Sequence, residues 1–176
     1  MSSMRPSFFM PVVLLALAAC SSPAPIRTAT VVDLERFMGD WYVIATIPTF
    51  IEMNAYNAME SYRLAGDGIV ATTFSFREGG FEGEHKTYRP TGYVLDRESN
   101  AIWGMQFIWP IQADYRIIFV DDSYSQTVIG RTARDYVWLM ARTPQLSEAD
   151  YQRFLRLIAD EGYDVSKVRK VPQRWN

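Results

Sequence analysis

Reactive side chains are scarce in this chain. Cys20 is its only cysteine and His85 its only histidine. A lone histidine cannot build a protein-only metal site of the usual nitrogen and sulfur ligands. No Gly-x-Ser-x-Gly elbow raises a serine nucleophile, and no cofactor is implied. His85 stands among Glu84, Lys86 and Thr87 on a predicted strand beside a loop, which makes it a surface or rim residue. The thiol of Cys20 is placed differently. It follows Leu17-Ala18-Ala19, at the end of a mostly apolar run from Phe8 to Leu17, and Arg5 is the sole charged side chain before it. That run is too short for a bilayer-spanning helix, which needs about 20 residues. A positive start, a short apolar stretch and small residues form the pattern of a secretory signal. A cysteine at the cut site offers a thiol for covalent lipid attachment.

The segment resembles a bacterial lipoprotein lipobox. The resemblance implies that residues 1–19 are a lipoprotein signal peptide and that Cys20 carries a diacylglyceryl group at the mature N-terminus. Two or three acyl chains, at about 0.8 kcal/mol per buried methylene, hold a protein to a membrane beyond reversible anchoring. Ser21-Ser22-Pro23-Ala24-Pro25 reads as a flexible tether within a lipidated linker over 20–30. Ser21, not Asp, follows the cysteine, so by analogy the expected destination is the outer membrane, facing the periplasm. Residues 31–176 are then one domain. With one cysteine no disulfide forms within the chain, and the core must hold the fold alone.

Charge excludes one class of partner. Eighteen Lys and Arg against 20 Asp and Glu leave a formal net charge of −2, scattered along the sequence. Nucleic-acid binding needs a concentrated basic patch. No sequence feature indicates assembly beyond a monomer or weak homodimer.

The elements that must position any site are strands. Asp33 is a plausible N-cap for a helical turn over 33–38, broken by Gly39-Asp40. Strands are predicted over 41–47, 58–64, 69–77, 83–89, 92–97, 101–109, 114–121, 126–132 and 136–142. Ala65-Gly66-Asp67-Gly68 is a hairpin turn between two of them. Many short strands at even spacing indicate a sandwich or an up-and-down barrel. Ser147 opens one amphipathic helix, with Tyr151, Phe154, Leu155 and Ile158 on one stripe, and Gly162 ends it. A single helix after the strands packs outside the sheet. Residues 165–171 add a short last strand.

Strand alternation selects inward faces that are large and aromatic. Trp103, Met105, Phe107 and Trp109 share one; Tyr115, Ile117 and Phe119 share another; Tyr136, Trp138, Met140 and Arg142 a third. Such faces suit a packed core or a cavity wall. Glu60 shares a face with Tyr62, and a one-residue slip would turn it outward.

Three blocks then give a family resemblance. Gly39-Asp40-Trp41-Tyr42 fits a Gly-x-Trp motif on the first strand, Asp114-Tyr115 fits a second block opening a later strand, and Arg142 fits a third before the helix. Residues 134–144 and 161–167 are also very like the bacterial subgroup. The chain resembles the lipocalins, specifically the bacterial outer-membrane lipoprotein type, over roughly 31–173. The resemblance implies an all-β fold: an eight-stranded antiparallel up-and-down barrel, open at one end, with one C-terminal helix outside. It assigns Gly39, Trp41, Asp114 and Arg142 to structure, with Arg142 over the Trp41 ring at the closed end. It places ligand-binding residues in the upper barrel: Tyr115, Trp138, Phe119, Ile117, Met140, Met105, Phe107, Phe74 and Val94. The implied ligand is a fatty acid or lysophospholipid. Phe50, Ile51, Met53 and Tyr56 follow the first strand in a loop that is either a lid or a membrane-touching patch. Two other readings stand beside the carrier: an interaction lipoprotein whose barrel is plugged by a residue such as Trp103 or Trp109, and a lipid-modifying enzyme, for which the barrel lacks a reactive cysteine.

Overall fold

A computed structural model describes residues 25–175. Cys20, the segment 1–19 and the start of the tether lie outside the described residues. The Asp33 side chain accepts the Arg36 backbone N–H at 3.2 Å, capping a one-turn helix α1 (Leu34–Phe37). Strands follow as β1 (Gly39–Ile47), β2 (Ala55–Gly66), β3 (Ile69–Glu78), β4 (His85–Tyr88), β5 (Thr91–Val94), β6 (Ile102–Ile108), β7 (Ile111–Val120), β8 (Gln126–Gly130) and β9 (Val137–Ala141).

Neighbouring strands pair antiparallel in chain order, and β1 pairs β9 as well as β2, so the sheet closes on itself. Closure removes the free edges that an open sheet must protect. The separate runs predicted over 83–89 and 92–97 form a single stave of the wall. β4 pairs the far part of β3 (Phe74 with Tyr88) and β5 the near part (Ala71 with Thr91). Pro90 has no N–H to give the ladder, which accounts for the break between them. The result is an eight-stranded barrel.

Helix α2 (Glu148–Asp160) starts where Ser147 accepts the Asp150 N–H at 3.0 Å. It lays Tyr151, Phe154 and Ile158 on the outer surface of the barrel, against Ile44, Ile118, Val128 and Leu139. The last strand shrinks to β10 (Arg169–Lys170) on the free side of β1. The described residues thus form two apolar clusters, one inside the barrel and one beneath the helix.

Two irregularities change which side chains face inward. Ile117 pairs Ile129 but Phe119 pairs Val128, so Ile118 is an extra residue on β7. This bulge resets the alternation. Phe119, expected inside, lies outside, edge-on to Phe154 with ring centroids 5.5 Å apart. A second register shift between Met105 and Ile108 tips the end of β6 outward. Phe107 is half exposed at the rim, and Trp109, expected inside, is 82% exposed.

The closed end is built around Arg142. Its guanidinium carbon sits 3.8 Å from the Trp41 ring centroid. Its N–H groups donate to the carbonyls of Asp40, Arg36, Phe37 and Met38 at 2.7–3.1 Å, satisfying the open end of α1. Gly39 has φ +95°, and a Cβ there would lie 3.2 Å from Arg142 Nη1. A side chain at Gly39 is therefore opposed both by its backbone and by the guanidinium.

Candidate functional site

Above the closed end, the upper half of the barrel encloses a cavity of about 510 Å³. Its size falls within the roughly 300–1,000 Å³ of small-molecule sites. Of the sequence-predicted residues, Tyr115, Trp138, Met105, Phe74 and Phe107 line it, Phe107 at the mouth. Ile117, Met140 and Val94 do not: they are buried in the packed interior cluster. Phe119 is outside the barrel altogether. Trp103 fills the lower interior rather than the cavity, stacked on Tyr115 at 5.5 Å between centroids and 17° between planes. Trp109 points to solvent and plugs nothing.

Several polar groups interrupt the apolar wall. Glu60 faces inward, buried, and accepts a hydrogen bond from the Tyr62 hydroxyl. That hydroxyl lies 2.5 Å from the hydroxyl of Tyr115, so a chain runs Tyr115–Tyr62–Glu60 toward the base of the cavity. Burial pushes the Glu60 carboxyl up to about 7, the Tyr62 hydrogen bond works against that shift, and the charge of Glu52 adds to it. Burial likewise holds both tyrosines well above their ordinary range, so they remain neutral donors.

Glu52 comes from the loop between β1 and β2, folded over the mouth. It accepts the Trp138 indole N–H at 3.1 Å and the Thr49 backbone N–H at 2.8 Å. Its carboxyl is raised by burial despite those bonds. One acid therefore sits under the lid and the other at the floor. Asp114, at the rim, goes the other way. Burial would raise it, but the Thr132 backbone and hydroxyl donors (both 2.7 Å) and Arg116 bring it below the ordinary carboxylate range. It ties β7 to the loop between β8 and β9.

Three lining residues carry buried polar atoms with no hydrogen-bond partner: Thr49 Oγ1, Thr72 Oγ1 and Arg131 Nε. A ligand or water can satisfy such atoms. Sequence reasoning missed Thr72, Arg131 and Glu52. Thr72 was within reach, since it alternates with Val70 and Phe74 on β3. Arg131 and Glu52 lie in loops, where no period assigns a face. Among the described residues, no group of three or more His, Cys, Asp or Glu is arranged to hold a metal ion.

A closed antiparallel barrel with one outer helix, a one-turn helix beneath it and an Arg–Trp clasp at the closed end is a specific combination. Residues 32–173 match the family model of the lipocalin-like domain. The chain is a lipocalin. It is 32% identical to temperature-induced lipocalin-1 of Arabidopsis thaliana over 150 residues, covering 80% of this chain and 79% of the relative. It is 31% identical to the outer membrane lipoprotein Blc of Escherichia coli K12 over 163 residues, 89% of this chain and 90% of the relative. Among solved structures it resembles insecticyanin of the tobacco hornworm Manduca sexta, with a TM-score of 0.67 at 14% identity over 86% of this chain and 85% of that one. At that identity the likeness speaks for the lipocalin fold alone.

Proposed function

We propose that this lipocalin is an outer-membrane lipoprotein, anchored through Cys20 and facing the periplasm. In this reading it holds one fatty acid or lysophospholipid, for storage, transport or repair of cell-envelope lipids. The observation that carries this is the open, largely apolar upper cavity of about 510 Å³ within a lipocalin barrel. The pattern at Leu17–Cys20 and relatives named outer membrane lipoprotein Blc support the anchor and its compartment.

An acyl chain enters tail first. Burying 14–16 methylenes is worth on the order of 12 kcal/mol gross, and ordering the chain and fixing the complex offset much of it. An affinity between about micromolar and nanomolar follows. The head group stays at the mouth, where the unpartnered Arg131 Nε can donate to a carboxylate or phosphate oxygen. The tail covers Glu60, whose carboxyl burial pushes up to about 7, so that near neutral pH it is ionised in about half of the ligand-free molecules. A bound carboxylate reaching the floor would meet a second acid there, which favours the tail-down orientation.

Native mass spectrometry of the purified protein, with palmitate and with a lysophospholipid, tests the proposal. A saturable one-to-one adduct is expected, weakened about tenfold by Trp138→Ala, which removes the indole from the wall and unpairs Glu52. Folded protein that takes up neither lipid overturns it in favour of the plugged interaction lipoprotein.

A further inference from the structure

Large exposed apolar side chains concentrate at one end of the molecule. Phe50, Met53, Phe107, Ile108, Trp109 and Ile111 ring the open end, with Phe50 84% exposed. They come from two separate elements, the loop between β1 and β2 and the tip of the β6–β7 hairpin. Phe50 and Ile108 border the mouth of the same cavity. A patch of this kind is rarely left to water without a partner, and a Trp ring, apolar with one polar edge, suits the membrane interface.

The path of the N-terminal segment points to the same end. The Val32 N–H donates to the Ser99 carbonyl at the closed end, and the Ala29 N–H to Ile117 midway along β7. The Arg27 side chain reaches Glu161, just beyond α2, at 2.6 Å. The Glu161 carbonyl accepts from Arg134 at 2.5 Å, in the loop whose Arg131 lines the cavity. From Val32 back to Arg27 the chain climbs the outside of the barrel to the open end. Ser21 to Ala24 alone separate Cys20 from Pro25, a reach of at most about 17 Å. β7 by itself runs about 33 Å.

We propose that the open end is a membrane-docking face. Phe50, Ile108, Trp109 and Ile111 enter the interface of the lipid surface that holds Cys20, and the cavity mouth opens directly onto the bilayer. A lipid then passes between bilayer and barrel without crossing water. The orientation rests on the lipid anchor proposed above, and the test separates the two.

The full chain, purified from membranes, is reconstituted into vesicles of phosphatidylethanolamine and phosphatidylglycerol. Spin labels are placed at the rim by Ile108→Cys and at the closed end by Glu98→Cys, both exposed positions that leave the core untouched. The expected result is a rim label relaxed by oxygen and shielded from a water-soluble nickel complex, with the opposite behaviour at residue 98. Adding Trp109→Ser and Phe50→Ser should reverse the rim result. Both labels in water, or the closed-end label in the bilayer, overturns the docking face. So does a rim label shielded equally without vesicles, which would indicate a second copy of the chain. Peptide mass on the same sample reports lipid on Cys20. An unlipidated Cys20 with the rim label still in the bilayer fails the anchor and upholds the face; a lipidated Cys20 with both labels in water fails the face alone.

Discussion

Below Tyr115 the barrel interior is solid, and above it the same eight staves enclose a cavity. In the lower half, Phe37 from α1 rises between Trp41, Tyr62 and Trp103, with ring centroids 5.1–5.7 Å apart. Gly92 lies against the Trp103 ring, where an added Cβ would be in van der Waals contact at 3.4 Å. In the upper half the inward positions include Thr72 and Ala113, and the plugging helix does not reach. Aromatic richness is shared by both halves. What separates them is whether a second element fills the centre. Burial of polar groups follows the same division: Arg142 below is saturated with carbonyl partners, whereas Thr72 and Arg131 above keep unpartnered atoms.

The largest test of this division is Trp103→Ala. Removing the central ring of the packed half should cost about 3–5 kcal/mol, read by urea unfolding. If the surroundings fail to collapse, the cavity extends downward and the protein takes a longer acyl chain, visible as a shift in preferred lipid mass. Arg142→Ala comes next. It leaves the α1 carbonyls open and bares Trp41, and should lower stability by about 3 kcal/mol. Lipid affinity per folded molecule should stay within about twofold. A large affinity loss with unchanged stability would erase the distinction between the halves.

The floor acid gives a pH signature. Glu60 has an ordinary value of 4.5 and is raised to about 7 when buried. Between those values the folded chain holds a proton that the unfolded chain has released, so stability falls as pH rises through that window. The ligand-free protein should lose up to about 3 kcal/mol from this group, fully retained below the window and gone above it. Glu60→Gln should flatten most of that slope in urea midpoints taken from about pH 5 to about pH 8. The remainder belongs to Glu52, which burial shifts in the same direction. The smallest effect is expected from Phe119→Ala. It trims the outer cluster, costing about 1–2 kcal/mol, and should leave lipid affinity unchanged. A clear loss of affinity would return Phe119 to the cavity.

Local chemistry was readable wherever one element decides it. The Asp33 and Ser147 caps, the helix stripe of Tyr151, Phe154 and Ile158, the turn at residues 65–68 and the strands themselves follow from short-range periods and hydrogen bonds. The pairing of Trp41 with Arg142 across 101 positions was reachable only through resemblance to other lipocalins, because no local period links them.

The sequence by itself determined an all-β chain with one outer helix, a scarcity of reactive groups, and inward faces rich in aromatic rings. Only the tertiary structure decided which of those faces meet a ligand. One extra residue at Ile118 sent Phe119 outside, because strand alternation has period two and a single insertion inverts it. Ile117, Met140 and Val94 belong with Phe37 to the packed interior cluster and not to the cavity wall. Glu60, whose face the sequence left open, turned inward because Tyr62 and Tyr115, from different strands, supply a hydrogen-bonded chain that makes its burial tolerable. Such partnerships depend on barrel closure, a long-range event that no window of sequence contains.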